Sequence, residues 1–313
     1  MKIAILDDYQ NVALSFADWD SLGAEVEVFT THIGDADELV KRLAGFEVVV
    51  AMRERTRFPA ELLARLADLK LLVSTGMRNA AIDVEAARRH GIVVCGTGYV
   101  PHPTAEHTWA LILAATRNLA TELPAMRAGG WQTTVGTGLH GRTLGLLGLG
   151  NLGSRVARVG QAFGMETIAW SQNLTPERAA EHGVTAVSQE DLFARSDVLS
   201  VHLVLSDRTR GLVGAAELAA MKPGAWLVNT SRGPIVEEDA LLDALRRKEI
   251  GGAALDVYDI EPLPADHPLR GLSNVVLTPH LGYVTRETYE IFFGDAVADI
   301  AAYRAGDPVR VIS

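Results

Sequence analysis

A second cysteine is missing from this 313-residue chain, which excludes an internal disulfide and leaves Cys95 to be read as a small buried hydrophobe in a reducing compartment. No Cys/His spacing resembles a metal site, and no metal is expected. Apolar runs fall short of the ~18 residues that a membrane-spanning helix needs, and Met1 leads straight into the strand-like KIAIL without a basic-then-apolar leader. A cytoplasmic protein with no membrane partner is therefore expected. Positive charge is also scarce: 29 Lys and Arg face 39 Asp and Glu, a formal net charge of −10, so nucleic acid is repelled overall. Small anions are not excluded, because local arginines and helix N-termini outweigh net charge at short range.

With 48% hydrophobic residues, the chain is long and apolar enough for about two ordinary domains. Short β-branched runs alternate with longer segments of helical period, the pattern of parallel sheets covered by helices, so the class is α/β. A first series of strands reads at 2–6, 26–29, 48–51, 70–74 and 92–95. A second series of six begins at residue 143 and continues at 167–171, 198–203, 225–230, 252–257 and 275–280. Between the two lies TAEHTWALILAATRNLA (104–120), apolar almost all round and read as one buried helix, with Pro101 and Pro103 marking a boundary before it. The last helical stretch, 286–306, has no sheet of its own and should return to the first series. The expected architecture is two Rossmann-like doubly wound parallel-sheet domains: a substrate domain of residues 1–100 and 285–313, and a dinucleotide-binding domain of residues 101–284 inserted into it.

LLGLGNLGSRVA places Gly148, Gly150 and Gly153 in G-x-G-x-x-G spacing, after a strand and before a helix. The first glycine permits a tight turn, the second lets backbone approach a pyrophosphate, and the third lets helix pack close to strand. Glycine-rich turns also arise purely for packing, but the flanks here favour a dinucleotide, with the Asn151 and Leu152 amides aimed at its phosphates. In such folds the next strand ends in a carboxylate that holds the adenine ribose; TIAWS ends in Ser171. Ser171 does not repel a 2′-phosphate, so NAD or NADP is expected with a lean to NADP. Gln172 and Asn173 can donate hydrogen bonds, and Arg178 is the nearest arginine along the chain.

Three successive strands of the second series end in titratable residues. Arg232 follows LVNTS, Asp256 and Glu261 lie at and after ALDV, and His280 ends VVLTPH. Each alone has an ordinary structural reading, as an ion pair, a solvated carboxylate or a satisfied imidazole. Their shared position, at the carboxyl edge where open parallel sheets bind ligands, points to one cleft. The trio fits hydride transfer between a nicotinamide and a 2-oxo or 2-hydroxy acid. His280 would exchange a proton with the substrate oxygen, Glu261 would favour the charged imidazolium, and Arg232 would grip the acid through two donors. Asp256 fits a hydrogen bond to the nicotinamide carboxamide.

GLGNLG, LVNTSRGPIVEEDAL, AALDVYDIEPLP and LTPHLG, in that order, resemble the D-isomer-specific 2-hydroxyacid dehydrogenases, and STG (74–76), AAIDVEAARRHGIVVCGTG and AEHTWALILAATRNL extend the likeness over nearly the whole chain. The resemblance implies that Arg232, Glu261 and His280 are catalytic, that Thr104, Asn151, Leu152, Ser171, Thr230, Ser231 and Asp256 hold the cofactor, and that the protein is a homodimer. It places Thr75, Gly76, Met77 and Arg78 near the substrate. Many relatives read TGVDNVD where this chain reads TGMRNAAID, so Arg78 either binds an anionic group or faces solvent. Tyr283, in LGYVT, is expected to narrow the pocket. Without a regulatory extension after Ser313, an end-product-controlled phosphoglycerate dehydrogenase is disfavoured; glyoxylate or hydroxypyruvate fits better, and formate less well because it has no carbonyl to protonate. The rival from another class is a nucleotide-sensing, corepressor-like binding protein on the same fold.

Overall fold

The computed structural model describes all 313 residues and divides into two compact units, one of Met1–Val100 with Val284–Ser313 and one of Pro101–Tyr283. The first unit holds strands β1 (Lys2–Ile5), β2 (Glu25–Val28), β3 (Val48–Ala51), β4 (Leu71–Ser74) and β5 (Val93–Gly96), with helices α1 (Ala36–Arg42), α2 (Ala60–Leu63) and α3 (Val84–Arg89) between them. All five strands are parallel, in the order β2-β1-β3-β4-β5. Strands covered on both faces read as unbroken apolar runs, and β3 and β4 are buried at every residue. β2, with the sequence EVEV, alternates exposed glutamates with half-buried valines, which suits its place at the sheet edge.

The second unit opens with helices α4 (Pro103–Thr116) and α5 (Leu119–Arg127) and continues as β6 (Thr143–Leu147), α6 (Asn151–Ala162), β7 (Glu166–Trp170), α7 (Pro176–Ala180), β8 (Thr185–Ala186), α8 (Gln189–Arg195) and β9 (Val198–Val201). It ends with α9 (Ala215–Ala220), β10 (Trp226–Asn229), α10 (Glu238–Arg247), β11 (Gly252–Leu255) and β12 (Val275–Leu277). The seven strands are parallel in the order β12-β11-β10-β9-β6-β7-β8. Neighbouring strand residues feed opposite faces: Leu146, Val228 and Ala254 join one apolar cluster with Trp109 and Val156, while Leu147, Leu227 and Ala253 join another with Leu192, Leu218 and Leu241. The chain leaves β6 in one direction and returns at β9 on its other side, so strand order reverses between β6 and β9. That reversal opens a crevice at the carboxyl ends of the strands.

Two expectations need correction. The helix read at 104–120 stops at Thr116, because Asn118 adopts a left-handed conformation (φ 54°) and α5 starts afresh after it; asparagine tolerates that conformation better than most residues. The second series also has a seventh strand, β8, whose two residues are too short to show a period.

After the second unit the chain re-enters the first as α11 (Arg286–Arg304), which buries Phe292, Phe293, Ala296 and Ile300. Asp295 on that helix accepts a hydrogen bond from Gly98 N at 2.8 Å, and Val311 bridges Cys95 on β5.

Candidate functional site

The glycine-rich turn follows from close contacts. Gly148 has φ 106°, and a Cβ there would lie 2.9 Å from His202 O; on Gly153 it would lie 2.2 Å from Gly148 O. Gly150 differs, since a Cβ there would meet no protein atom within 4 Å. Packing therefore does not require this glycine, whereas a ligand approaching the backbone would. No side chain caps α6 and no acidic residue sits in its first turn, so the N–H groups at Asn151 and Leu152 face outward at the positive end of the helix. Asn151 Oδ1 instead accepts from Arg155 Nε at 3.1 Å. These features fit a dinucleotide pyrophosphate.

β10, β11 and β12 are neighbours, so the turns that follow them leave one edge side by side. Asp256, just beyond β11, is fully buried. Its Oδ1 accepts from Leu281 N and Thr278 Oγ1, at 2.8 and 2.5 Å, and Oδ2 accepts from Gly282 N at 2.8 Å. His107 on α4 adds its Nε2, 3.1 Å from Asp256 Oδ1 and 3.0 Å from Thr278 Oγ1. Burial alone would raise the Asp256 pKa, but the hydrogen bonds from His107 and Thr278, the charge of His107 and the Leu281 amide outweigh it and hold the carboxyl below its usual value. Thr104 Oγ1 donates to Gly282 O at 2.9 Å. Both backbone amides that follow His280 are thus tied to Asp256 beyond β11, and the Gly282 carbonyl is tied to Thr104 on α4.

His280 itself has φ 54°, an uncommon conformation for a residue with a Cβ that is found at functional turns. Its Nδ1 lies 2.5 Å from Glu261 Oε2, while Glu261 Oε1 accepts from Tyr258 N at 3.0 Å. The carboxylate is held from two sides, and the imidazole keeps Nε2 open. The Tyr283 ring meets the imidazole edge-on, with centroids 5.4 Å apart and planes at 74°. Arg232 lies in a turn after β10 in which Asn229 Nδ2 donates to Arg232 O and Ser231 N donates to Asn229 Oδ1, both at 3.0 Å. Arg232 Nη1 donates to Ser231 O at 2.7 Å. The Thr230 hydroxyl pairs with Thr108 Oγ1 at 2.8 Å, and that of Ser231 donates to Leu203 O.

Thr75, Gly76, Met77 and Arg78 belong to the first unit, in the turn after β4. Gly76 has φ 97°, and Arg53 Nη1 occupies the space a Cβ would take while donating to Thr75 O at 3.1 Å. Met77 and Arg78 are exposed.

Sequence reasoning passed over Arg53, His107, His202 and Arg208. His107 carried the one usable signal, a histidine within an apolar, buried helix. His202 pairs with Ser200 Oγ at 2.9 Å beside the glycine-rich turn, and burial pushes its pKa down to about 4, so its ring is neutral at neutral pH. Arg208 reaches Gln172 across 36 positions of sequence, a contact that only the fold creates.

A doubly wound parallel sheet, a glycine-rich turn opening an uncapped helix and a carboxylate–imidazole pair on the same strand edge define a dinucleotide-dependent oxidoreductase class. Residues 109–282 match the NAD binding domain of the D-isomer specific 2-hydroxyacid dehydrogenases. A glyoxylate reductase of Aeropyrum pernix is 44% identical over 260 residues, covering 80% of this chain and 78% of the relative. A D-3-phosphoglycerate dehydrogenase of Archaeoglobus fulgidus is 35% identical over 314 residues, 99% of this chain, but the chain spans only 58% of its length. The crystal structure of a phosphoglycerate oxidoreductase from Vibrio cholerae superposes with a TM-score of 0.93 at 42% identity, covering 98% of this chain and 99% of that one. The chain belongs to the D-isomer-specific 2-hydroxyacid dehydrogenase family, whose members are oxidoreductases using a nicotinamide cofactor.

Proposed function

We propose that the protein reduces a small 2-oxo acid to its D-2-hydroxy acid, or runs the reverse oxidation, with His280, Glu261 and Arg232 as catalytic residues. The 2.5 Å contact between His280 Nδ1 and Glu261 Oε2 carries this reading, because it leaves Nε2 as the nitrogen that meets substrate. In reduction His280 donates a proton from Nε2 to the carbonyl oxygen, and in oxidation it takes the hydroxyl proton back. Glu261 fixes the ring and stabilises its cationic form; its bond from Tyr258 N keeps the carboxylate from swinging away. Arg232 grips the substrate carboxylate through paired N–H donors. The nicotinamide, when bound, supplies or accepts the hydride.

Gly148, Gly150, Gly153 and the Asn151 and Leu152 amides would hold the pyrophosphate, with Ser171 beside the adenine ribose. Thr104, Thr230, Ser231 and Asp256 already direct polar atoms into the protein, so their part is to shape and stiffen the floor under the cofactor, with contacts left to their remaining lone pairs. NADP is favoured over NAD because the β7 tip carries no carboxylate. Thr75, Gly76, Met77 and Arg78 are assigned to substrate binding, supported by the positive φ that turns the Gly76 backbone; Tyr283 limits substrate size through its contact with the His280 ring. A two-carbon or three-carbon acid such as glyoxylate or hydroxypyruvate is favoured by the likeness to glyoxylate reductase.

A homodimer built on the nucleotide-binding unit is supported by α5, which buries no residue, and by the exposure of Leu123, Met126, Trp131 (74%) and Val135 (95%) along and after it. Equilibrium sedimentation at the mass of one chain would contradict that assembly. A reducing, cytoplasmic setting rests on the lone, buried Cys95. A nucleotide sensor has no use for a paired acid–base imidazole, and that reading is set aside. Turnover of a panel of 2-oxo acids with NADPH and NADH tests the function: a short acid should be reduced to the D product, and tight cofactor binding with no acid turned over would restore the sensor.

A further inference from the structure

We propose that Arg208 supplies the guanidinium that receives the 2′-phosphate of NADPH, in a shallow subsite completed by Ser171 and Gln172; the proposal rests on the cofactor reading above. The tip of β7 and the glycine-rich turn are stitched together, since Gly148 N donates to Trp170 O at 2.9 Å. In this fold the residues just past that strand face the adenine ribose. Here they are Ser171, Gln172 and Asn173, all uncharged, and the chain folds back through a bond from Leu174 N to Ser171 O at 3.0 Å.

β7 and β9 are the two neighbours of β6, so the loop after β9 leaves the same sheet edge on the other side of Gly148. That loop is pinned by Thr209, whose Oγ1 accepts from Ser206 N at 2.8 Å and donates to Val204 O at 2.7 Å, while Thr209 N and Arg210 N both donate to Ser206 O. The pinned loop brings Arg208 Nη1 to 3.1 Å from Gln172 Oε1. This neutral amide is the side-chain partner of Arg208, and the remaining N–H donors of its fork stay available.

A phosphate is a better partner for those donors than an amide oxygen, and charge-assisted contacts of this kind are about twice as strong as neutral ones. In a protein of net charge −10 a dianionic group needs such a local cation. The adenine ribose of NADH offers only hydroxyls there and gains nothing from the guanidinium. The ligand class is therefore a 2′-phosphorylated adenosine.

Dissociation constants measured by calorimetry on the full chain, for NADPH, NADH and 2′,5′-ADP as the adenosine probe, test the assignment. Wild type should prefer NADPH. Arg208→Ala should weaken NADPH and 2′,5′-ADP about ten- to a hundredfold while NADH affinity stays as it was, which also shows that the variant is folded. Arg208→Glu should invert the preference. Equal weakening of both dinucleotides by Arg208→Ala, or no weakening of either, would overturn the role of Arg208. Wild type that binds NADH and rejects NADPH would overturn it too while leaving the dehydrogenase reading intact, whereas wild type that binds neither would overturn both.

Discussion

At the scale of single residues, the proposed chemistry rests on how two side chains are held. His280 sits at φ 54° with its ring fixed by Glu261, and Glu261 is fixed in turn by a backbone amide. Replacing Glu261 with Gln keeps the size but removes the negative charge beside the ring, and under the proposed mechanism kcat should fall by about 10²–10⁴-fold, the range of a lost general acid. Pre-steady-state cofactor binding should be unaltered. If Arg232 grips the substrate as proposed, Arg232→Ala should damage kcat/KM for every 2-oxo acid, because all of them share the carboxylate; kinetics across the panel with no change would remove the clamp. The turns that carry Arg232 and His280 were legible in sequence because each follows a strand-like apolar run, and parallel strands place their last residues on one edge, whereas Glu261 lies six residues past the end of its strand. Arg208 was not legible, since its partner Gln172 lies on a different strand tip and nothing local to either marks the contact.

Among elements, α4 and the loop after β12 decide where His280 stands. Asp256 joins them by accepting Leu281 N, Gly282 N and Thr278 Oγ1 beside His107. Asp256→Asn places an N–H group against donors, which should cost about 1–3 kcal/mol in denaturant unfolding and lower kcat as the loop loosens. The Asp256 carboxyl is depressed below its ordinary 3.8, so the stability it contributes is present above that value and lost as the pH falls through its lower folded-state pKa. Wild type should therefore show an acid-side loss of stability that the Asn variant lacks. Sequence pattern showed α4 as a buried helix without saying what His107 was for, because an apolar period reports burial and not partners. It also ran α4 into α5, since the left-handed turn at Asn118 interrupts the backbone without interrupting the hydrophobic residues.

For the molecule as a whole, alternating strand and helix periods made the α/β class and two strand series legible, because parallel sheets bury their strands as apolar runs that stand out from amphipathic helices. The buried polar groups that secure the C-terminal return were hidden. Asp299 on α11 is fully buried, and burial pushes its carboxyl up to about 7 even though Arg310, at 2.9 Å, pulls it back. An acid with a raised folded-state pKa keeps its proton where the unfolded chain has released it, so this group should make stability decline as pH rises from about 4 to about 7 and leave it level above. Asp299→Asn should flatten that slope in melting temperatures recorded across the interval; an unchanged slope would assign the titration elsewhere.

The most direct test of the central claim compares wild type with His280→Ala, following the absorbance of reduced nicotinamide with a short 2-oxo acid and measuring cofactor affinity on the same preparations. Wild type should consume the reduced cofactor and form the D-2-hydroxy acid, and the variant should lose about 10²–10⁴-fold in kcat while binding cofactor as wild type does. Near-wild-type turnover by the variant would contradict the account.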